Sequence, residues 1–173
     1  MPEAVALEFT DPAGDALLVE WEAEALAALV APTADAEPVW RLSGEVDWDE
    51  IEGLRIVSGR LGAERLLAIA SLRPKGAEGH GEEALAGALG SVTQFDQLDE
   101  VLLSTEYGAD GAVRRIGLEL YRDEAVLPLR IAGDVIARNR EVSGGVRRDS
   151  AAFELRGGGD EGIGILDVLT SAT

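Results

Sequence analysis

The chain has 173 residues, a formal charge of −18 and no cysteine. The missing thiols exclude disulfides, thiolate catalysis, zinc fingers and iron–sulfur ligation. A field of that sign repels phosphate backbones and anionic membrane surfaces, so nucleic acid is not an expected partner.

Hydrophobic residues make up 46% of the chain but aromatics only 5%, which leaves the core to Ala, Val, Leu and Ile. The length suits a single domain over residues 1–173 with a core of its own. The charge is uneven: residues 1–53 hold fourteen acids against Arg41 alone, whereas the remainder holds nineteen acids against fourteen bases. Solubility, or an acidic docking face for a basic partner, accounts for such a field. The N-terminus carries Glu3, Glu8 and Asp11, with no basic region ahead of an apolar one, and so shows no signal peptide. The longest uncharged stretches, 25–34 and 84–95, fall far short of the roughly 20 residues that a spanning helix needs. A cytoplasmic protein with no membrane span is the expectation.

In chain order, Val5 to Phe9 and Ala16 to Trp21 read as a hairpin around Asp11-Pro12-Ala13-Gly14. Glu22 to Val30 suits either a helix or a continued strand, and Pro32 to Pro38 a loop. Val39 to Val46, Leu54 to Ser58 and Leu66 to Leu72 read as further strands. Residues 73–97 then break the rhythm. There Glu82 to Leu89 predicts two helical turns, with acids at the N-terminal end and Gly90 as the stop. A departure of that length marks 73–97 as a candidate lid, or a plug at one barrel end.

From Leu98 to Leu169 the chain reads as an antiparallel meander. Val101, Leu103, Thr105 and Tyr107 alternate with polar residues, Gly108-Ala109-Asp110-Gly111 turns the chain, and Ile116, Leu118 and Leu120 return on one face. Period-two alternation on both sides of a glycine turn signals a hairpin with one buried face. Leu127, Leu129 and Ile131 alternate next, and Ser143-Gly144-Gly145 and Gly157-Gly158-Gly159 supply later turns. Turn signals at this spacing point to a sandwich or barrel rather than βαβ units.

Several motifs fail on inspection. Gly157 to Gly162 satisfies G-x-G-x-x-G, but only eleven residues follow and they alternate like a strand, so the glycines are a turn and not a dinucleotide fingerprint. The acids around Trp48 fail the calcium-loop pattern, since Ile51 and Glu52 stand where a ligand and a glycine belong. No metal and no cofactor are expected.

Two residues are candidates for catalysis. His80 is the one histidine, so any general base of that type must use it, though its glycine neighbours suit an exposed loop. Asp167 alternates with Ile163, Ile165 and Leu169; if that face is the interior, it is a carboxylate among apolar residues. Such a group either pairs with an arginine (Arg114, Arg130 or Arg138) or titrates high enough for general acid work. Trp21, Trp40 and Trp48 are candidate pocket walls or core anchors. Tyr107, Tyr121 and Arg130 on the meander complete the candidate ligand-binding set.

The closing residues Phe153 through Asp167, with Gly162, Gly164 and Asp167, resemble the final strands of lipocalin-like proteins grouped with carotenoid 1,2-hydratase and tocopherol cyclase. The chain is about half the length of those two-unit proteins and carries Asp where they carry Glu. The resemblance implies a barrel that handles isoprenoid-like or polyketide-like ligands and cyclises, hydrates or isomerises them. The fold expected is all-β: an antiparallel, calycin-like barrel or sandwich of about ten strands with one short helix. Two functions are open. One is binding of a hydrophobic small molecule, with or without chemistry upon it. The other is a non-catalytic acidic interaction module, for which a homodimer is the natural assembly.

Overall fold

A computed structural model describes residues 4–30, 37–76, 83–122 and 127–172. In chain order it contains β1 (Ala4–Thr10), β2 (Ala16–Glu22), α1 (Ala23–Ala27), β3 (Trp40–Ser43), β4 (Ile51–Leu61), β5 (Arg65–Pro74), β6 (Ala84–Gly90) and β7 (Phe95–Gln97). There follow β8 (Glu100–Tyr107), β9 (Val113–Tyr121), β10 (Leu129–Ser143), β11 (Val146–Gly157) and β12 (Asp160–Ser171). Strands account for 69% and helix for 3% of the chain, so the all-β expectation holds.

The strands form two antiparallel sheets. The smaller has the order β1-β2-β3, and the larger β7-β6-β5-β4-β12-β11-β10-β9-β8. The meander read from the sequence is β8 to β12, five strands in consecutive hairpins, and β12 joins it to β4. The order has a geometric consequence. β7 and β8 lie at opposite edges of the nine-stranded sheet, yet only Leu98 and Asp99 separate them in the chain. Two residues span at most about 10 Å, so the sheet must curl until its edges approach. Leu98 N–H donates to Gly87 O at 2.8 Å and Asp99 N–H to Tyr121 O at 2.9 Å, which fixes that return.

Each face of the curled sheet carries its own core. The concave face buries Val57, Leu67, Ile69, Leu118, Phe153 and Leu155 among others. The opposite face of β4, β5 and β12 buries Leu54, Ile56, Leu66 and Leu169 beneath Val5, Leu7, Val19 and Trp21 of the small sheet. Strands β4 and β5 are therefore covered on both sides, and Leu66 to Leu72 is a continuous buried run without alternation.

Gly59 and Gly164 stand opposite each other in register. A Cβ at Gly164 would come within 2.7 Å of Leu155 Cδ1, so the missing side chain is what lets Leu155 lie across the sheet. The turns read from Gly144-Gly145 and Gly158-Gly159 are two-residue hairpin loops, all four glycines at positive φ (59°, 78°, 57° and 83°).

Two expectations change. Ala84 to Gly90 is strand β6, paired with Leu66–Leu72, and not the helix that its alanines and leucines suggested. Gly87 belongs where β6 meets β8, because a Cβ there would lie 2.8 Å from Val101 Cγ2. With β5 running to Pro74 and β6 and β7 in the sheet, the candidate lid shrinks to residues 75–83, of which 77–82 lie outside the described residues. The segment after Trp21, open to either reading, turns into α1 at Ala23, where Ala23 and Leu26 are buried.

Candidate functional site

Asp167, the candidate acid, lies on the face turned toward the small sheet and not on the concave interior. It is 2% exposed. Trp40 Nε1–H donates to its Oδ2 at 2.7 Å, and the Ser150 hydroxyl donates to its Oδ1. The cation beside it is Arg148, whose Nη1 is 3.6 Å from Oδ1, in place of the expected Arg114, Arg130 or Arg138. Ser150 is the register partner of Asp167 on β11, so the acid and its donor are neighbours by strand pairing.

Trp21 and Trp40 face each other across β2 and β3, 1% and 8% exposed, and each pins the small sheet to the large one. Trp21 Nε1–H donates to the Ser58 hydroxyl on β4 at 2.8 Å, as Trp40 does to Asp167 on β12. Trp48 is half-buried against the same core. Tyr121 and Arg130 meet through Glu119 on the outer face of β9 and β10: Arg130 Nε–H donates to Oε1 at 2.9 Å and the Tyr121 hydroxyl to Oε2 at 3.3 Å. Partial desolvation and the Glu119 carboxylate raise the Tyr121 phenol above its ordinary pKa. His80 lies outside the described residues. The residues singled out from the sequence thus do not converge on one site; among the described ones Tyr107 and Arg138 line a cleft with chemistry of its own.

That cleft opens at one end of the concave face and has a volume of about 380 Å3. Antiparallel partners share a face, so the register runs across the sheet in transverse rows. The deepest of three reads Leu89, Leu67, Gly59, Gly164, Phe153 and Val135. Next comes Gly87, Ile69, Val57, Leu166, Ala151 and Arg138. The row at the mouth is Leu85, Ser71, Arg55, Val168, Asp149 and Arg140. The concave face is therefore graded, from wholly apolar in its depth to arginine-bearing at the rim.

Over this end arches the β8–β9 turn, carrying Tyr107, Ala112 and Val113 to the cleft wall. Arg138 ties the arch down, its Nε and Nη2 donating to Val113 O at 3.1 and 2.9 Å. Arg140 Nε–H donates to Asp149 Oδ1 at 2.6 Å, and Arg147 Nε stands 3.3 Å from Asp149 Oδ2. On the far side of Val168, Arg55 makes a two-point pair with Glu83 at 2.9 and 2.6 Å, and the Ser71 hydroxyl donates to Glu83 at 2.7 Å.

The arginines reach this face through an irregularity. The β10–β11 register shifts between Val135 and Ala137, and the extra residue changes the phase of the strand. Before it Ile131, Gly133 and Val135 face inward; after it Arg138 and Arg140 do. Read with strict alternation, both arginines belong outside with Ala132 and Asp134, so sequence reasoning missed them as cleft residues. The Arg140–Asp149 pair itself was within reach, since counting back from a two-residue loop at Gly144-Gly145 sets these two opposite each other.

No family model matches the chain, and a search of curated proteins gives no match. Among the described residues no helix is long and apolar enough to cross a membrane, and no three or more His, Cys, Asp or Glu gather as metal ligands do.

Proposed function

We propose that this chain binds an apolar small molecule, of isoprenoid-like or polyketide-like size, in the cleft at the mouth of the curled sheet. The observation that carries the reading is the cleft itself: about 380 Å3, floored by Ala151, Leu166 and Val168 and walled by Tyr107 and Val113. Ligand sites are concave, mostly apolar and supplied with a few fixed polar groups, with volumes from roughly 300 Å3 upward. Binding, and not cyclisation, hydration or isomerisation, is what these residues favour, because the carboxylate at the cleft, Asp149, is shared between Arg140 and Arg147. Asp167 for its part serves to join the two sheets.

A thermal-shift titration with a neutral isoprenoid alcohol such as geraniol tests this reading. At a hundredfold excess over Kd the ligand adds about 2.7 kcal/mol of stability, a rise in Tm of about 5–10 °C for a chain of this size. Ala112→Trp, which fills the cleft from the surface turn, will abolish the shift. An equal shift in that variant, or none in the wild type, would sink the reading.

One observation favours the interaction-module reading. β9 pairs with β10 only as far as Asp134, so the later part of β10 has a strand on one side alone, and Ile136 and Val142 there are 47% and 60% exposed. An unpaired edge of that kind is open to strand addition by a second copy. Sedimentation analysis decides it: a homodimer that Ile136→Lys disperses supports this assembly, and a monomer at all concentrations contradicts it.

A further inference from the structure

We infer that the ligand of this cleft carries an anionic oxygen head group, a carboxylate or a phosphate, which the guanidinium groups of Arg138 and Arg140 take at the rim while its apolar body lies on Leu166 and Val168. The inference rests on the binding reading above and adds the chemical class of the ligand.

Four of the chain's fifteen bases, Arg55, Arg138, Arg140 and Arg147, stand on the concave face at this one end. The acids paired with them are Glu83 and Asp149. In a chain of charge −18, a local excess of cations beside an apolar floor is the reverse of the surface as a whole. Solubility is already served by the surrounding acids and does not account for it.

The groups are also arranged for use. Arg138 has no carboxylate within 4.0 Å among the described residues; its Nε and Nη2 share a single carbonyl, and Nη1 makes no hydrogen bond to the described residues. Arg140 is anchored through Nε on Asp149, and neither of its terminal nitrogens makes a hydrogen bond to the described residues. Both side chains are thus positioned by their inner nitrogens and retain outer donors in the planar fork that matches a carboxylate or phosphate edge. In register Arg138 stands beside Ala151, so its methylene stem continues the apolar floor and its charged end reaches the rim. One row further out, Thr170 Oγ1 is buried and has no hydrogen-bond partner among the described residues, and Arg147 Nε beside it makes the 3.3 Å ion pair with Asp149 without a well-aligned hydrogen bond. Arg147 and Thr170 are register partners, so an unsatisfied hydroxyl and a guanidinium adjoin the same end of the sheet. Buried polar atoms without partners are few in folded proteins and call for an explanation; an anion entering this end supplies one.

Titration calorimetry with three ten-carbon probes, decanoate, decyl phosphate and decanol, separates the head group from the chain. Decanoate or decyl phosphate will bind wild type at least tenfold more tightly than decanol, with an affinity that falls as salt rises. The tighter of the two anions identifies the head group. Arg140→Gln will weaken anion binding about tenfold and leave decanol within twofold, and Arg138→Gln will weaken anion binding at least as much. The Arg140 side chain is exposed, so its variant should fold, and its unchanged decanol binding reports that directly. If decanol and decanoate bind equally and neither substitution matters, the head-group inference is overturned while the cleft remains a binding site. If no probe binds, decanol included, the binding reading fails and takes this inference with it.

Discussion

Replacing Asp167 with alanine separates a joint between the sheets from a reactive acid. The side chain is 2% exposed and accepts from Trp40 and Ser150, with Arg148 alongside. Arg148 keeps Glu141 at 2.6 Å after the substitution, so no cation is stranded. What is stranded is the Trp40 indole N–H, since Trp40 is only 8% exposed, together with the Ser150 hydroxyl. A hydrogen bond to a charged group contributes about 1.5–3 kcal/mol, and an unsatisfied buried donor costs about 1–3 kcal/mol. The two descriptions overlap, and together they place Asp167→Ala at about 3 kcal/mol. Asp167→Asn retains an acceptor for one donor and should cost about 1 kcal/mol. Urea unfolding followed by tryptophan fluorescence reads both values, with the midpoint falling and the slope unchanged. An Asp167→Ala protein within 1 kcal/mol of wild type would refute the reasoning, because the sheets would then be joined without this acid.

Trp21→Phe keeps most of the buried ring area but leaves the Ser58 hydroxyl without its 2.8 Å donor; denaturant unfolding should show a loss of about 1–2 kcal/mol. Gly87→Val drives a side chain into Val101, 2.8 Å from the position its Cβ would take, and overpacking of this kind costs about 1–3 kcal/mol in the same assay. Asp134 answers to pH. The hydrogen bond from Arg156, helped by Arg115, holds its carboxyl below the usual carboxylate range. A depressed folded-state pKa gives stability that is present above the unfolded value, near 3.9, and lost as pH falls through the folded one. Asp134→Asn should therefore differ from wild type at neutral pH, and the difference should shrink as the pH drops below about 4, as read from Tm against pH. Deleting Ile136 removes the extra residue of the bulge while Val135 and Ala137 keep their partners Phe153 and Ala152, so Arg138 and Arg140 stay on the concave face; anion binding at the cleft should survive the deletion, as read by titration calorimetry.

The meander was legible because its residues state the pattern locally. Val101 to Tyr121 alternates around a glycine turn, and Gly144-Gly145 and Gly158-Gly159 each fix a two-residue loop and hence a register. The sheet's closure was not legible, because the pairing of β12 with β4 joins Leu169 to Leu54 and no local signal reports so distant a contact. β6 was misread for a related reason. Ala84-Leu85-Ala86-Gly87-Ala88-Leu89-Gly90 has no β-branched residue, and its own propensity favours helix. Tertiary packing decides it: small residues are what the approach of β8 demands. Asp167 was recognised as a buried acid among apolar residues, but strand alternation alone could not say which face looked inward. The arginines of the cleft were hidden by one irregular residue, which exchanges the faces of β10 for everything after it.

A ligand site at the mouth of the curled sheet is open to amide chemical-shift mapping with decanoate. Decanoate should cause saturable shifts confined to residues 107–113, 138–140, 149–151 and 166–168, with the small sheet around Trp21 undisturbed. Shifts centred on the small sheet or on Asp167, or no shifts at millimolar decanoate, would contradict it.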